Sequence, residues 1–239
     1  MRTVAIEAAC RATWPAQTVQ EVGGFRVGHG DGGGDRVNSA LSFGAWTETD
    51  IRDVIEFQRS CGQTARFQVG DDQVDLRDRL IAMGFRPSRA TVVLCAYIDG
   101  LTDLALPPVT AFDLWPALAI QNDIWAAAGI AADRLAVMGR AAQPKTTILG
   151  RMDDRAAGTA FVAIAEGIAV LHALEVVPEL RRKGLAGWMV RRAAFWAGDR
   201  GADTLALAVT RGNSAALACY AGLGFAETGG YSYFTRPEE

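Results

Sequence analysis

The sequence predicts an α/β protein, a mixed sheet with helices on both faces, made of two tandem copies of one β-α-β-α-β unit. Three observations carry this. Apolar runs of strand length alternate along the chain with stretches of helical periodicity. A shift of 140 residues lays the first half on the second, placing 65–69 on 205–209 and 72–83 on 212–223, with Met83-Gly84-Phe85 on Leu223-Gly224-Phe225. A basic, glycine-containing turn, residues 178–187, separates an apolar run from a helical pattern in the second half only.

Taken in order, the first copy opens with a helix over 4–12 that stops before Pro15. Strands over 18–28 and 36–43 flank Gly28-His-Gly-Asp-Gly-Gly-Gly-Asp35, whose composition reads as a mobile surface loop. His29, Asp31 and Asp35 in that loop match no metal-ligand spacing. Thr49 or Asp50 caps a helix over 51–60, a strand follows at 65–69, and Asp71 or Asp72 caps a helix ending at Met83-Gly84. A β-rich run over 85–98 closes the copy, and the turn residues and paired prolines of 99–108 form a linker. The domains are therefore 1–102 and 103–239. The second copy reads as helix over 114–138 broken near Gly129, then strands over 145–151, 158–165 and 168–177 joined by turns at Asp153-Asp154 and Glu166-Gly167. A helix over 184–198, a strand over 204–209, a helix over 213–222 and a strand over 225–235 complete it. Each Gly-Phe pair ends a helix in a left-handed glycine cap and returns a phenylalanine to the core.

Composition narrows the class. Half of the 239 residues are hydrophobic, mean hydropathy is +0.10, and the net charge of -3 comes without a block of one sign. That is ample for a core and offers no basic face for nucleic acid. Cys10, Cys61, Cys95 and Cys219 are scattered, as expected of buried thiols in a reduced compartment. Glu7 and Arg11 interrupt any N-terminal signal core, and the most apolar stretch, 156–177, contains Glu166, Gly167, His172 and Glu175. The expectation is a cytoplasmic protein with no membrane partner and no metal, leaving room for a homodimer. The six tryptophans read as core packing first and pocket lining second.

The turn carries the chemistry. A run of unpaired amides at a helix N-terminus cradles phosphate. Neither G-x-x-x-x-G-K-[ST] nor G-x-G-x-x-G is present, which leaves Arg181-x-x-Gly184-x-Ala186 after a Val-x-Pro strand end. This resembles the pyrophosphate loop, [Q/R]-x-x-G-x-[G/A], of the GCN5-related N-acetyltransferases (GNATs). A second motif of that superfamily, N-x-x-A-x-x-x-Y-x-x-x-G-F, is matched by Asn213, Ala216, Tyr220, Gly224 and Phe225. Gly23-Gly24-Phe25-Arg26 and Arg36-Val-Asn-Ser39 add a looser likeness to tandem bacterial members.

The resemblance implies acetyl-CoA as cosubstrate and a small-molecule or peptide amine as acceptor. It implies that the strand before the turn splays from its neighbour and offers the backbone of Glu175, Val176 and Val177 to pantetheine. The amides of Arg182, Lys183, Gly184, Leu185, Ala186 and Gly187 would hold the pyrophosphate, with Arg181, Arg182 and Lys183 adding charge at the rim. It makes Tyr220 the general acid for the leaving thiolate, and a backbone N–H at Val176 or Val177 the polariser of the attacked carbonyl. Asn213 either reaches the cofactor or only caps its helix. His172 is the first candidate for the base, with Glu175 and Glu166 in reserve; strand alternation places His172 with Leu174 and Val176, and Glu175 on the other face. Each has a structural alternative: a buried strand, a solvated cation run, a core tyrosine, a core histidine. In the first copy Leu41-Ser42-Phe43 stands where Arg181-Arg182-Lys183 stands in the second, Gly44 is opposite Gly184, and Leu80 is opposite Tyr220. That copy is expected to be degenerate. A non-catalytic acyl-CoA sensor is the other function the sequence allows.

Overall fold

The structure, a computed structural model, describes residues 2–236. The first half contains α1 (Arg2–Thr13), β1 (Thr18–Val22), β2 (Phe25–His29), β3 (Ala40–Ser42), α2 (Glu48–Ser60), β4 (Arg66–Gly70), α3 (Val74–Ala82) and β5 (Arg86–Tyr97). The second contains β6 (Ala111–Leu114), α4 (Ala119–Ala127), α5 (Ala132–Arg140), β7 (Lys145–Met152), β8 (Arg155–Ala165), β9 (Ile168–Val176), α6 (Leu185–Gly198), β10 (Thr204–Thr210), α7 (Ser214–Gly222) and β11 (Ala226–Thr235). The expected α/β class holds. Some boundaries move for local reasons. The expected strand over 18–28 is a hairpin, because Gly23 at φ 53° allows a two-residue turn between Val22 and Phe25. The α2 cap is Thr47, with Asp50 closing a capping box, and α3 starts after Gln73 without a side-chain cap. Strand β6 lies between the expected linker over 99–108 and the helix expected from 114.

The eleven strands of the described residues join in one sheet, ordered β1-β2-β3-β4-β11-β5-β10-β9-β8-β7-β6. The last strand of each half lies beyond its own half: β11 pairs with β4, β5 pairs with β10, and β5 and β11 are antiparallel neighbours at the centre. A boundary at residue 102 thus divides the sequence while the sheet runs through. The 140-residue shift holds for β4, α3 and β5 against β10, α7 and β11. Upstream it fails, because β3, not a strand 140 residues before β9, takes the place beside β4 that β9 takes beside β10.

Helices cover both faces. From α6, Leu185, Met189, Val190, Ala193 and Trp196 pack on Ile148, Val162, Leu171 and Leu205. On the other face α1 sets Ile6 and Ala9 against Val170, Ala206 and Tyr233, so the first helix of the chain lies under strands of the second half. Over the first half, Val54 of α2 and Leu76 and Leu80 of α3 meet Phe25, Phe67, Phe85 and Phe234. Each such fully buried side chain contributes about 1.5–3 kcal/mol relative to exposure. Both Gly-Phe pairs close as expected. Gly84 and Gly224 have φ 87° and 81°, and Phe85 and Phe225 donate to the carbonyls of Leu80 and Tyr220 at 3.0 Å each.

Candidate active site

A groove of about 1020 Å³ opens where β9 and β10 part. The two strands are paired in parallel from Ile168/Thr204 only as far as Leu171/Leu207, although β9 continues to Val176 and β10 to Thr210. The parting follows a β-bulge. Opposite β8, His172 faces Phe161 and Glu175 faces Thr159, so three steps on β9 span two on β8. Ala173 takes up the extra residue at φ 49°, and its carbonyl accepts from the indole N–H of Trp125 at 2.8 Å. The bulge reverses the alternation expected for this strand. Leu171, Leu174 and Val176 pack on the α6 side, whereas His172 and Glu175 share the opposite face with Phe161 and Thr159.

At the end of β9, Val177 donates its N–H to Ala157 at 2.9 Å and so belongs to the β8 ladder. Val176, one residue earlier, points its amide and carbonyl to the other edge. That carbonyl accepts from Arg181 Nε at 2.8 Å. Arg181 also reaches Glu175 at 3.7 Å, so its charge folds back on the strand instead of standing free at the rim. Lys183 lies 3.7 Å from Asp153. Beyond a turn over Pro178–Leu180, Arg182 and Gly184 adopt left-handed φ values of 60° and 86°, and α6 starts at Leu185. No side chain caps this helix. Among the described residues, the amides from Arg182 to Gly187 donate to no protein acceptor. They form a row at the positive end of a helix dipole.

Across the groove, Asn213 caps α7 by accepting from Ala216 at 3.1 Å. Tyr220 is 8% exposed and packs on Phe225 with ring centroids 5.5 Å apart. Burial, with Cys219 and Glu175 nearby, raises its pKa above the usual phenol value, so it stays protonated at neutral pH. Glu175 is half-buried; desolvation raises its pKa and Arg181 opposes the shift. Glu166 is exposed in the turn before β9, at the end remote from the cradle.

His172 lies in a closed set of bonds. Its Nε2 is 2.9 Å from Thr13 Oγ1, which donates to Ala9 O at 2.7 Å. Its Nδ1 is 3.3 Å from Arg36 Nη1. Arginine only donates, so Nδ1 is the acceptor and Nε2 carries the proton. Desolvation, with Arg36 adding to it, drives the pKa of His172 well below the usual histidine value. Trp14 and Phe161 lie over the ring at 5.0 and 6.1 Å between centroids.

Sequence reasoning missed the first-half side of this groove. The loop read as mobile is tied down: Gly30 donates to Asn38 Oδ1 at 2.8 Å, and Gly33 donates to Asp133 Oδ2 of α5 at 2.7 Å. Gly33, Gly34 and Arg36 line the groove with Trp14, Tyr231 and Tyr233. The sequence signal on this side is Arg36-Val-Asn-Ser39, whose likeness to tandem members carries no chemistry by itself.

The Acetyltransferase (GNAT) family model matches residues 115–225. That matched segment is a GNAT-family domain. A rice (Oryza sativa subsp. japonica) protein named acetyl transferase GW6a is 41% identical over 71 residues, which are 30% of this chain and 16% of the rice protein. Among solved structures, a GCN5-related N-acetyltransferase from Kribbella flavida has a TM-score of 0.73 at 19% identity, covering 99% of this chain and 95% of that one. A tandem GNAT protein from the clavulanic acid biosynthesis pathway has a TM-score of 0.59 at 15% identity, covering 84% and 76%. These likenesses show the fold, and the family match over 115–225 supports acyl transfer in general. No helix among the described residues is long and apolar enough to cross a membrane.

Proposed function

We propose that the protein transfers an acetyl group from acetyl-CoA to a primary amine by direct attack. The observation that carries the reading is the uncapped row of amides from Arg182 to Gly187 beside the gap between β9 and β10. The row suits a pyrophosphate, and the gap exposes a strand edge on which pantetheine can pair as an added strand. The free N–H of Val176 is the donor for the thioester carbonyl. Tyr220, protonated by virtue of its burial, gives its proton to the departing thiolate. Glu175 is the base in this reading: it lines the groove and its raised pKa brings it closer to that of the proton it takes. His172 positions Arg36 instead, because its one acceptor lone pair is occupied. The catalytic copy is 103–239, and 1–102 is a degenerate copy that closes the acceptor side. The compartment we assign is the cytoplasm.

The test is release of free CoA thiol when purified protein meets acetyl-CoA and a panel of amines. Turnover that requires an amine supports transfer. Acetyl-CoA bound tightly without turnover on a broad panel would favour a sensor.

A further inference from the structure

We propose that the end of the groove away from the cradle is an anion site, in which the guanidinium of Arg36 takes a carboxylate carried by the amine that is acetylated. The proposal rests on the acetyl-transfer reading and names the acceptor class for it.

Among the described residues Arg36 has no counter-ion. Its Nη1 donates to His172 Nδ1 and its Nη2 to Tyr231 Oη, both at 3.3 Å, and both partners are neutral. The adjacent acid, Asp35, is engaged elsewhere, 3.4 Å from Arg66 and 3.2 Å from Arg89. Among the described residues no carboxylate forms an ion pair with Arg36. A guanidinium does not give up its proton, and removing it from water without a compensating charge is costly. Such a group persists where a ligand supplies the charge. The surroundings hold it still. His172 is fixed by Thr13 and by Trp14, and Tyr231 packs edge-on against Tyr233 at 5.4 Å. Two of the five N–H donors of the guanidinium are used, which leaves a fork for a planar carboxylate.

The wall is shaped for this. Gly33 and Gly34 have φ of 74° and 90°, so the loop passes without side chains, and a Cβ on Gly34 would come within 3.5 Å of Arg134 Nε. Arg134 is a second groove cation, and among the described residues it makes no ion pair. Trp14, Ile130 and Tyr233 supply the remaining surface, an aromatic and apolar setting that suits a compact organic acid. Because of the bulge, His172 and Glu175 are separated along the strand by two residues of β8, roughly 7 Å at 3.3 Å per residue. That distance accommodates an amino acid or a dipeptide with its amine toward Glu175.

The experiment uses matched pairs: amino acids and dipeptides against their C-terminal amides and their decarboxylated amines, with the full-length protein and acetyl-CoA. The carboxylates are expected to show at least tenfold higher kcat/KM. Arg36→Gln should reduce that preference below threefold while the Kd for acetyl-CoA stays within twofold; Arg36→Lys should recover part of it. Amides used as well as acids, or a preference that survives Arg36→Gln, would overturn the site. If Arg36→Gln does not fold, the wild-type pairs decide alone. If no amine is acetylated, the acetyl-transfer reading fails separately. The same pairs are then titrated against the fluorescence of Trp14, with Trp14→Phe as the blank. Saturable change with acids only supports the anion site, and equal or absent change with both members of each pair sinks it.

Discussion

Helices α2 and α6 follow equivalent strands and begin in opposite ways. At α2, Thr47 accepts from the amide of Asp50 at 3.2 Å, and the Asp50 carboxylate accepts from the amide of Thr47 at 2.8 Å. The helix satisfies its own first amides and puts a negative charge at its positive end. At α6, Gly184 contributes no side chain, and the amides are left for a ligand. The same divergence recurs one helix later. Leu80 is wholly buried among Phe25, Phe67 and Phe85, whereas Tyr220, at the matching place, lines the groove. One scaffold therefore serves two ends. A copy that closes its helix start with a side chain and fills its tyrosine position with leucine gains stability and loses the cradle.

The comparison can be broken at several points. The largest expected effect is on stability, at Leu80. Leu80→Ala should cost about 2–5 kcal/mol in denaturant unfolding, with the Kd for acetyl-CoA unchanged within twofold under conditions where the variant is folded. Donor binding lost by a folded Leu80→Ala would show that the first copy does more than support.

Next is Gly184→Asp, which gives α6 the kind of start that α2 has. A carboxylate there competes for the amides and repels the pyrophosphate. The Kd for acetyl-CoA should rise at least a hundredfold, about 3 kcal/mol. Calorimetric titration that finds the wild-type Kd would remove the cradle from consideration.

Tyr220→Phe comes third. It should lower kcat at least about 100-fold with Kd for acetyl-CoA within twofold, as a proton donor predicts. Because the pKa of Tyr220 is raised, wild-type kcat should show no loss from phenol ionisation as pH climbs to 10. Glu175→Gln tests the opposite limb. A carboxyl with a raised pKa is active when deprotonated, so kcat/KM should climb with pH through an apparent pKa above 4.5. The variant should lose that climb, and a profile that keeps it would exclude Glu175 as the base.

Much of this was legible in the residues themselves. Gly84 and Gly224 are required by the left-handed turn that ends each helix, and the Arg181 to Ala186 pattern announces an amide cradle because its backbone must approach an anion. Three things were not legible, each for a physical reason. The bulge at Ala173 is hidden because β9 is buried on both faces, so Leu-His-Ala-Leu-Glu-Val has no clean alternation for an extra residue to interrupt. The exchange of β5 and β11 is hidden because periodicity shows which face a strand buries, not which strand lies beside it. The loop over residues 28–35 looked mobile because its composition permits motion, while its anchors, Asn38 and Asp133, lie outside it and the second is distant in sequence.

The smallest effect is the most direct check on the contrast between the helix starts. Thr47→Ala removes the hydroxyl that accepts from Asp50 and should destabilise the protein by about 1 kcal/mol. Asp50 retains its bond to the backbone of residue 47, so the positive end of α2 keeps a resident anion, and no acetyl-CoA binding should appear there. Replacing Asp50 as well, with Ala, frees the amides and removes the charge. If the helix start alone made a donor site, the double variant would gain a second binding stoichiometry in calorimetry. None is expected. Beside α2, β3 meets β4 in parallel only at Ala40 and Phe67 and ends two residues later at Ser42, whereas β9 runs on from Leu171 to Val176. On the proposed reading free amides hold a pyrophosphate while pantetheine needs a long exposed strand edge next to them, and the first half offers only the short end of β3.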